Sequence, residues 1–224
     1  MSAWRAGMLV ARRRIACRSV VVTLIGAALC VLGSAGLERG RPAVLGRADV
    51  LRGATFGLVL PLFTYFLVAR VVREGPIGSA MQSLGRVGCN RRAAVVSLVF
   101  TVAASAAVTG ASLAAVGAWA ATGGGLRDLA TICWVGGAGG ASYAALFCWG
   151  ASVGSKGGGR LATLGLDWLL GVSSAGWALP WPRAHLRCLL GGDAVLGLTP
   201  PASALVLVLL ILTATTWTAA RTPP

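Results

Sequence analysis

Long uncharged stretches of apolar residues constrain how this chain folds more than any other feature. A helix needs roughly 20 residues, at 1.5 Å each, to cross a bilayer core about 30 Å thick. Six stretches approach that length, separated by short charged or proline-containing segments. The predicted membrane-spanning helices are residues 19–37, 54–72, 94–118, 129–152, 161–179 and 203–220. We therefore expect residues 1–224 to form a single polytopic transmembrane domain.

The composition excludes the soluble protein classes. Hydrophobic residues make up 56% of the chain and charged residues 12%, and the mean hydropathy is +0.79. So few polar residues cannot cover a water-soluble domain of this size. The apolar runs are continuous and lack the alternation of membrane strands, which favours helices. The predicted fold class is an all-α membrane protein with six transmembrane helices.

The distribution of basic residues predicts the orientation. A net charge of +14 would suggest nucleic acid in a soluble protein. Here the arginines cluster between apolar stretches, where lipid headgroups lie, so we expect membrane lipids and no nucleic acid as partners. Segments on the amino-terminal side of the membrane carry 13 basic residues and the other segments carry seven. This bias predicts a multi-pass protein of the bacterial inner membrane with both termini cytoplasmic.

Residues that would support enzymatic or metal chemistry are sparse. His185 is the one histidine, and the six cysteines form no CxxC pair, so we expect no metal site and no cofactor. The six acids include no pair at helical spacing for acid and base catalysis. The glycine-rich residues 154–160 lack the GK[ST] order of a phosphate loop. We therefore expect no catalytic residues, and we expect that the protein is not an enzyme.

Three residues inside the predicted spans carry specific expectations. Asp167 is ionisable and lies well inside a span, which makes a functional polar site a default hypothesis. Pairing with a basic neighbour is the structural alternative for Asp167, and we favour it. Gly136 and Gly140 are four residues apart and so share one helix face. That spacing predicts close packing against a neighbouring helix.

The segment between the second and third spans has an amphipathic pattern. Pro76 can begin a helix, and Ile77, Met81 and Leu84 then follow at i, i+4 and i+7. The basic residues at its end are Arg86, Arg91 and Arg92. The pattern predicts a cytoplasmic helix of about 12 residues that contacts either the lipid surface or a groove on a cytoplasmic partner.

The segment between the fifth and sixth spans predicts a second short helix on the outer side. Trp177, Trp181 and His185 surround two prolines there, at the depth where aromatic rings lie near headgroups. Residues 186–190 then return to apolar character before two glycines. We expect this segment to lie along the outer surface or to re-enter the membrane.

This arrangement resembles the permease subunits of type 2 ABC exporters, over nearly the whole chain. Residues 74–92 look like the coupling helix of that family, and residues 179–192 look like its outer hairpin. The resemblance implies a separate ABC ATPase subunit that hydrolyses ATP, and a second permease copy or paralogue. It also implies that the ATPase docks on the coupling helix, whose candidate residues are Ile77, Met81, Leu84, Arg86, Arg91 and Arg92.

The function expected from this resemblance is outward transport of a hydrophobic or amphipathic substrate, driven by ATP. One alternative is a polytopic membrane scaffold that transports nothing and has no dedicated ATPase. Another is an ion-coupled secondary transporter that depends on Asp167 and loses transport in Asp167→Asn.

Overall fold

The computed structural model describes residues 2–38, 49–73, 75–82, 90–122, 128–154 and 157–222. Regular structure in these ranges is helical, with 3-10 turns at Ile77–Met81, Gly176–Ala178 and Val195–Gly197. The longer helices are α1 (Ala3–Ile15), α2 (Arg18–Glu38), α3 (Val50–Val72), α4 (Arg91–Thr122), α5 (Leu129–Ala151), α6 (Gly159–Leu170), α7 (Pro182–Leu189) and α8 (Pro200–Ala220).

Five of these helices are long and apolar enough to cross a membrane, namely α2, α3, α4, α5 and α8. Each has at least 21 residues, which at 1.5 Å per residue exceeds the thickness of a hydrocarbon core of about 30 Å. The predicted all-α fold is therefore confirmed, and the described residues include five helices of membrane-spanning length where six were predicted.

The ends of the helices form two groups, one at each end of the bundle. At one end, here called the proximal end, an Arg14 guanidinium donates to the carbonyl of Val71, and Arg92 Nε donates to the carbonyl of Thr222 at 3.2 Å. At the other, distal end, Arg52 near the start of α3 donates to the carbonyl of Leu190 after α7. The helix termini that lie at the proximal end are therefore the ends of α3 and α8 and the start of α4.

The core of the bundle lies between α3, α4 and α5. The most apolar windows of these helices are 67%, 50% and 56% buried, against 17% for α2 and for α8. Leu60, Leu98 and Phe147 are among the fully buried side chains. In α3 the first ten residues, Val50–Val59, have π-helical hydrogen bonding and the rest is α-helical. α2 and α8 lie at the periphery, as expected of helices that face lipid.

The amino-terminal helix α1 lies against the proximal part of α4. Its buried face consists of small residues, and a Cβ on Gly7 would overlap the carbonyl oxygen of Ala94. Ser97 donates to the carbonyl of Trp4 at 2.7 Å. Leu9, on the opposite face, is 51% exposed. α1 therefore has a face packed on protein and an apolar face open to its surroundings.

The predicted fifth span, residues 161–179, differs from the structure because it is not one continuous helix. α6 ends at Leu170, where the N–H of Gly171 donates to the carbonyl of Asp167 at 2.9 Å. Beyond it, Pro180 lacks the N–H that a continuing helix would need, and Pro182 instead begins α7. The 12 residues of α6 span only about 18 Å.

Candidate functional site

The described part of the segment between α3 and α4 contains a short turn at the proximal end. Gly75 adopts φ +110°, a conformation that favours glycine, and Pro76 then precedes the 3-10 turn Ile77–Met81. Ser79 closes the turn because its hydroxyl and its N–H both donate to the carbonyl of Pro76, at 2.7 and 2.9 Å. The predicted amphipathic helix is described only over this turn, because residues 83–89 lie outside the described residues.

The apolar residues of this turn face into the bundle. Ile77 is 1% exposed and Met81 is 0% exposed, and the turn packs against both α3 and α4. Ser79 and Gln82 are exposed on its other side. The side chains available to a partner are therefore the polar ones, while the apolar pair anchors the turn to the two helices that it connects.

The carboxyl-terminal end of α8 completes this region. A cavity of about 240 Å³ lies between the turn, the start of α4 and the end of α8, and Arg91 and Arg221 contribute to its lining. Arg92 reaches the carbonyl of Thr222. Two residues predicted for the coupling helix, Leu84 and Arg86, lie outside the described residues.

Asp167 occupies a second polar site, buried where three helices meet. Its side chain is 0% exposed. The hydroxyl of Tyr143 on α5 donates to Oδ2 at 3.0 Å, and the backbone N–H of Arg183 on α7 donates to Oδ1 at 3.2 Å. The carboxyl group of Asp167 thus connects α5, α6 and α7 through one side chain.

The bond to Arg183 places a carboxyl group at the amino-terminal end of α7. Pro182 is the first residue of that helix, so the N–H of Arg183 is among those that have no partner within the helix. A carboxylate at this position satisfies a free donor and interacts favourably with the positive end of the helix dipole. Asp167 therefore acts chemically as a cap supplied by a neighbouring helix.

Sequence reasoning identified Asp167 but missed both of its donors. Tyr143 is 24 residues away on α5 and Arg183 is 16 residues away on α7, so helical spacing gives no hint of either contact. The one available signal was a tyrosine hydroxyl inside an apolar span, because such a hydroxyl usually finds a partner when it is buried.

His185 lies near this cap and is also buried. Its Nε2 is 2.8 Å from the carbonyl oxygen of Leu179, which holds the ring against the turn before α7. In the described part of the chain, no three histidine, cysteine or acidic side chains lie close enough to hold a metal ion.

Gly136 and Gly140 both face α4. A Cβ on Gly136 would overlap the carbonyl oxygen of Gly110, and one on Gly140 would overlap that of Ala106. The two backbones therefore touch directly along this face. Gly137, between them, has room, because a Cβ there would lie 3.6 Å from the carbonyl oxygen of Ala107.

Comparison of the chain with models of known protein families, with curated proteins and with solved structures found no match.

Proposed function

We propose that this protein is a membrane permease subunit of an ABC exporter, paired with a second permease copy or paralogue and energised by a separate ATPase subunit. The observation that carries the proposal is the turn Ile77–Met81, which is anchored by two buried side chains and exposes polar ones. A force applied to Ser79 or Gln82 would act directly on α3 and α4, because Ile77 and Met81 are packed against those helices. An energy-coupling contact requires such a connection.

The predicted fifth span is interrupted after Leu170, and its two short helices, α6 and α7, support one membrane crossing in addition to the five long helices. α6 and α7 have 12 and 8 residues, or about 18 and 12 Å, which together match a core of about 30 Å. The bond between Asp167 and Arg183 joins the end of α6 to the start of α7, and Arg52 holds Leu190 near the distal end of α3. In this proposal α6 and α7 together form that crossing, in place of the single fifth span and of the re-entrant outer hairpin expected for residues 179–192.

The proposed orientation places the proximal end in the cytoplasm of a bacterial cell. It follows from the excess of basic residues in the segments at that end. The ATPase then docks on the exposed polar side of the turn, and the substrate moves outward between paired permeases.

Site-specific photo-crosslinking tests the docking. A photoreactive amino acid replaces Gln82 in the full-length protein in its native membrane, and the same amino acid replaces Asp193, 82% exposed and two residues after the distal Gly191, as the control. We expect Gln82 to capture a protein with Walker A and ABC signature motifs, and Asp193 not to capture it. If neither position captures such an ATPase while other adducts form at Gln82, the exporter proposal is wrong and a scaffold is favoured.

A further inference from the structure

A large basic cavity at the proximal end lies apart from both sites described above. Its volume is about 1050 Å³, and it opens between α1, the end of α3 and the start of α6. Among the described residues its lining includes Cys17 and five arginines, namely Arg13, Arg14, Arg70, Arg73 and Arg160. Three separate elements thus bring five guanidinium groups around a single space.

The described lining contains no carboxylate to balance these charges. Glu74, which follows Arg73 in the chain, lies outside the described residues. Two of the arginines are held by backbone carbonyls, which orient a guanidinium group without neutralising it: Arg14 donates to Val71, and Arg160 Nε donates to Gly157 at 3.1 Å. Nη1 of Arg160 is buried with no hydrogen-bond partner. The cavity therefore offers a concentrated positive charge.

Two side chains that line the cavity have shifted pKa values. Burial, together with the nearby charge of Arg73, lowers the pKa of Arg14. Hydrogen bonds from the Ser19 side chain and the Val20 backbone, helped by Arg70, lower the pKa of Cys17 to about 7. An anion in the cavity would relieve the repulsion among the arginines and would stand close to a reactive thiol.

Apolar side chains are present both in the wall of this cavity and on the exposed surface of α2, which follows Cys17 in the chain. Val10 and Ala69 form part of its wall. Immediately after Cys17 the chain enters α2, where Val21 and Val22 are 54% and 61% exposed. A ligand with an anionic head and hydrocarbon tails can place the head among the arginines and the tails along α2. Free phosphate would use only the first of these features.

We infer that the cavity binds the phosphate headgroup of an anionic phospholipid from the surrounding leaflet. Guanidinium groups match phosphate oxygens in geometry and charge, and basic pockets at the membrane interface suit such headgroups. The inference depends on the membrane setting and not on the exporter proposal. It assigns α1 a role as one wall of a lipid site.

Alkylation of Cys17 reports on occupancy of the cavity. The full-length protein is placed in nanodiscs of phosphatidylcholine alone or with phosphatidylglycerol, and modification of Cys17 by N-ethylmaleimide is followed at the peptide level. We expect phosphatidylglycerol to slow alkylation about fivefold, the effect of roughly 1 kcal/mol for a basic residue near an anionic surface. Equal rates in the two lipids would overturn the inference.

Paired variants separate this cavity from general attraction to an anionic surface. Arg13→Gln with Arg73→Gln removes two exposed arginines that line the cavity, and Arg5→Gln with Arg12→Gln removes two exposed arginines of α1 that do not. We expect the first pair to abolish the protection of Cys17 and the second pair to keep it. Loss of protection in both pairs would show diffuse attraction and would contradict a specific site.

A third measurement of Cys17 alkylation distinguishes binding of a lipid headgroup from binding of free phosphate. Inorganic phosphate is added to the phosphatidylcholine nanodiscs at an ionic strength matched with sodium chloride. We expect no protection of Cys17, because phosphate cannot use the apolar surface of α2. Protection equal to that by phosphatidylglycerol would assign the cavity to a soluble anion and overturn the lipid assignment.

Discussion

Asp167 on α6 connects α6 to α7 by a hydrogen bond, although the chain between the two helices is not α-helical. The chain leaves helical structure after Leu170 and resumes it at Pro182, and both carboxyl oxygens of Asp167 are used to connect the pieces. Because both oxygens have donors and the residue is fully buried, its geometry suits a clamp better than a site that exchanges ions with water. The two interpretations predict different behaviour for the amide variant.

Asp167→Ala leaves two buried donors without an acceptor, at a cost of about 1–3 kcal/mol. In Asp167→Asn the amide oxygen can still accept from the N–H of Arg183, and the amide nitrogen can donate to the hydroxyl of Tyr143. We expect Asp167→Ala to lower the thermal midpoint in detergent by about 2–4 °C per kcal/mol, and Asp167→Asn to retain most of the stability.

Asp193→Ala, at an exposed distal position, serves as the control and should leave the thermal midpoint unchanged. A clamp role would be refuted by an Asn variant as unstable as the Ala variant. An Asn variant that is fully stable yet inactive in transport would instead support the ion-coupled alternative.

The pairing of α4 with α5 is the clearest case in which an element's packing followed from its sequence. Gly136 and Gly140 share a face because helical residues four apart do so, and that face meets the backbone of α4. The glycines Gly26 and Gly33 of α2 have similar chemistry, yet a Cβ on either meets nothing within 4 Å. Spacing identifies a face suited to close approach, but the partner of that face is fixed only by the fold.

Gly140→Ala tests the contact between these two helices. Its added methyl group would overlap the carbonyl oxygen of Ala106, so the helices must separate, and we expect a loss of about 1–3 kcal/mol in stability. Gly137→Ala is the matched control on the same helix, where the new contact is ordinary and alanine is the better helix former.

Thermal unfolding in detergent, followed by tryptophan fluorescence, measures both glycine variants. A Gly140→Ala protein as stable as the Gly137→Ala protein would show that the close approach of α4 and α5 is unnecessary for the fold.

The helices and the turn also show what could not be predicted from the sequence. Apolar length predicted five helices close to their observed positions, because lipid imposes a minimum length on any crossing. It did not predict the break in residues 161–179, because residues 171–179 carry no charge and so extend the uncharged run beyond the end of α6 at Leu170. Ile77 and Met81 are both buried, but whether such apolar residues bind a partner or pack within the protein itself depends on three-dimensional packing and not on their spacing.

For the molecule as a whole, placing the proximal end in the cytoplasm predicts which residues a reagent can reach from outside the cell. Impermeant maleimide applied to intact cells should label a cysteine introduced at exposed Asp193, and should leave Cys89 unlabelled until the membrane is permeabilised. Labelling is read at single peptides, so that the remaining cysteines do not contribute. Labelling of Cys89 from outside would invert the topology and exclude an ATPase docked at the turn before α4.

The direct backbone contact between α4 and α5 also limits how the bundle can change shape. No compressible layer of side chains separates Gly110 from Gly136, so these two helices have no room to slide or tilt against each other. In the proposed exporter, a force on the turn would therefore move α4 and α5 together, while α2 and α8, whose apolar windows are 17% buried, are the least restrained by packing. Close packing of these two backbones thus makes α4 and α5 a single rigid unit at the centre of the bundle.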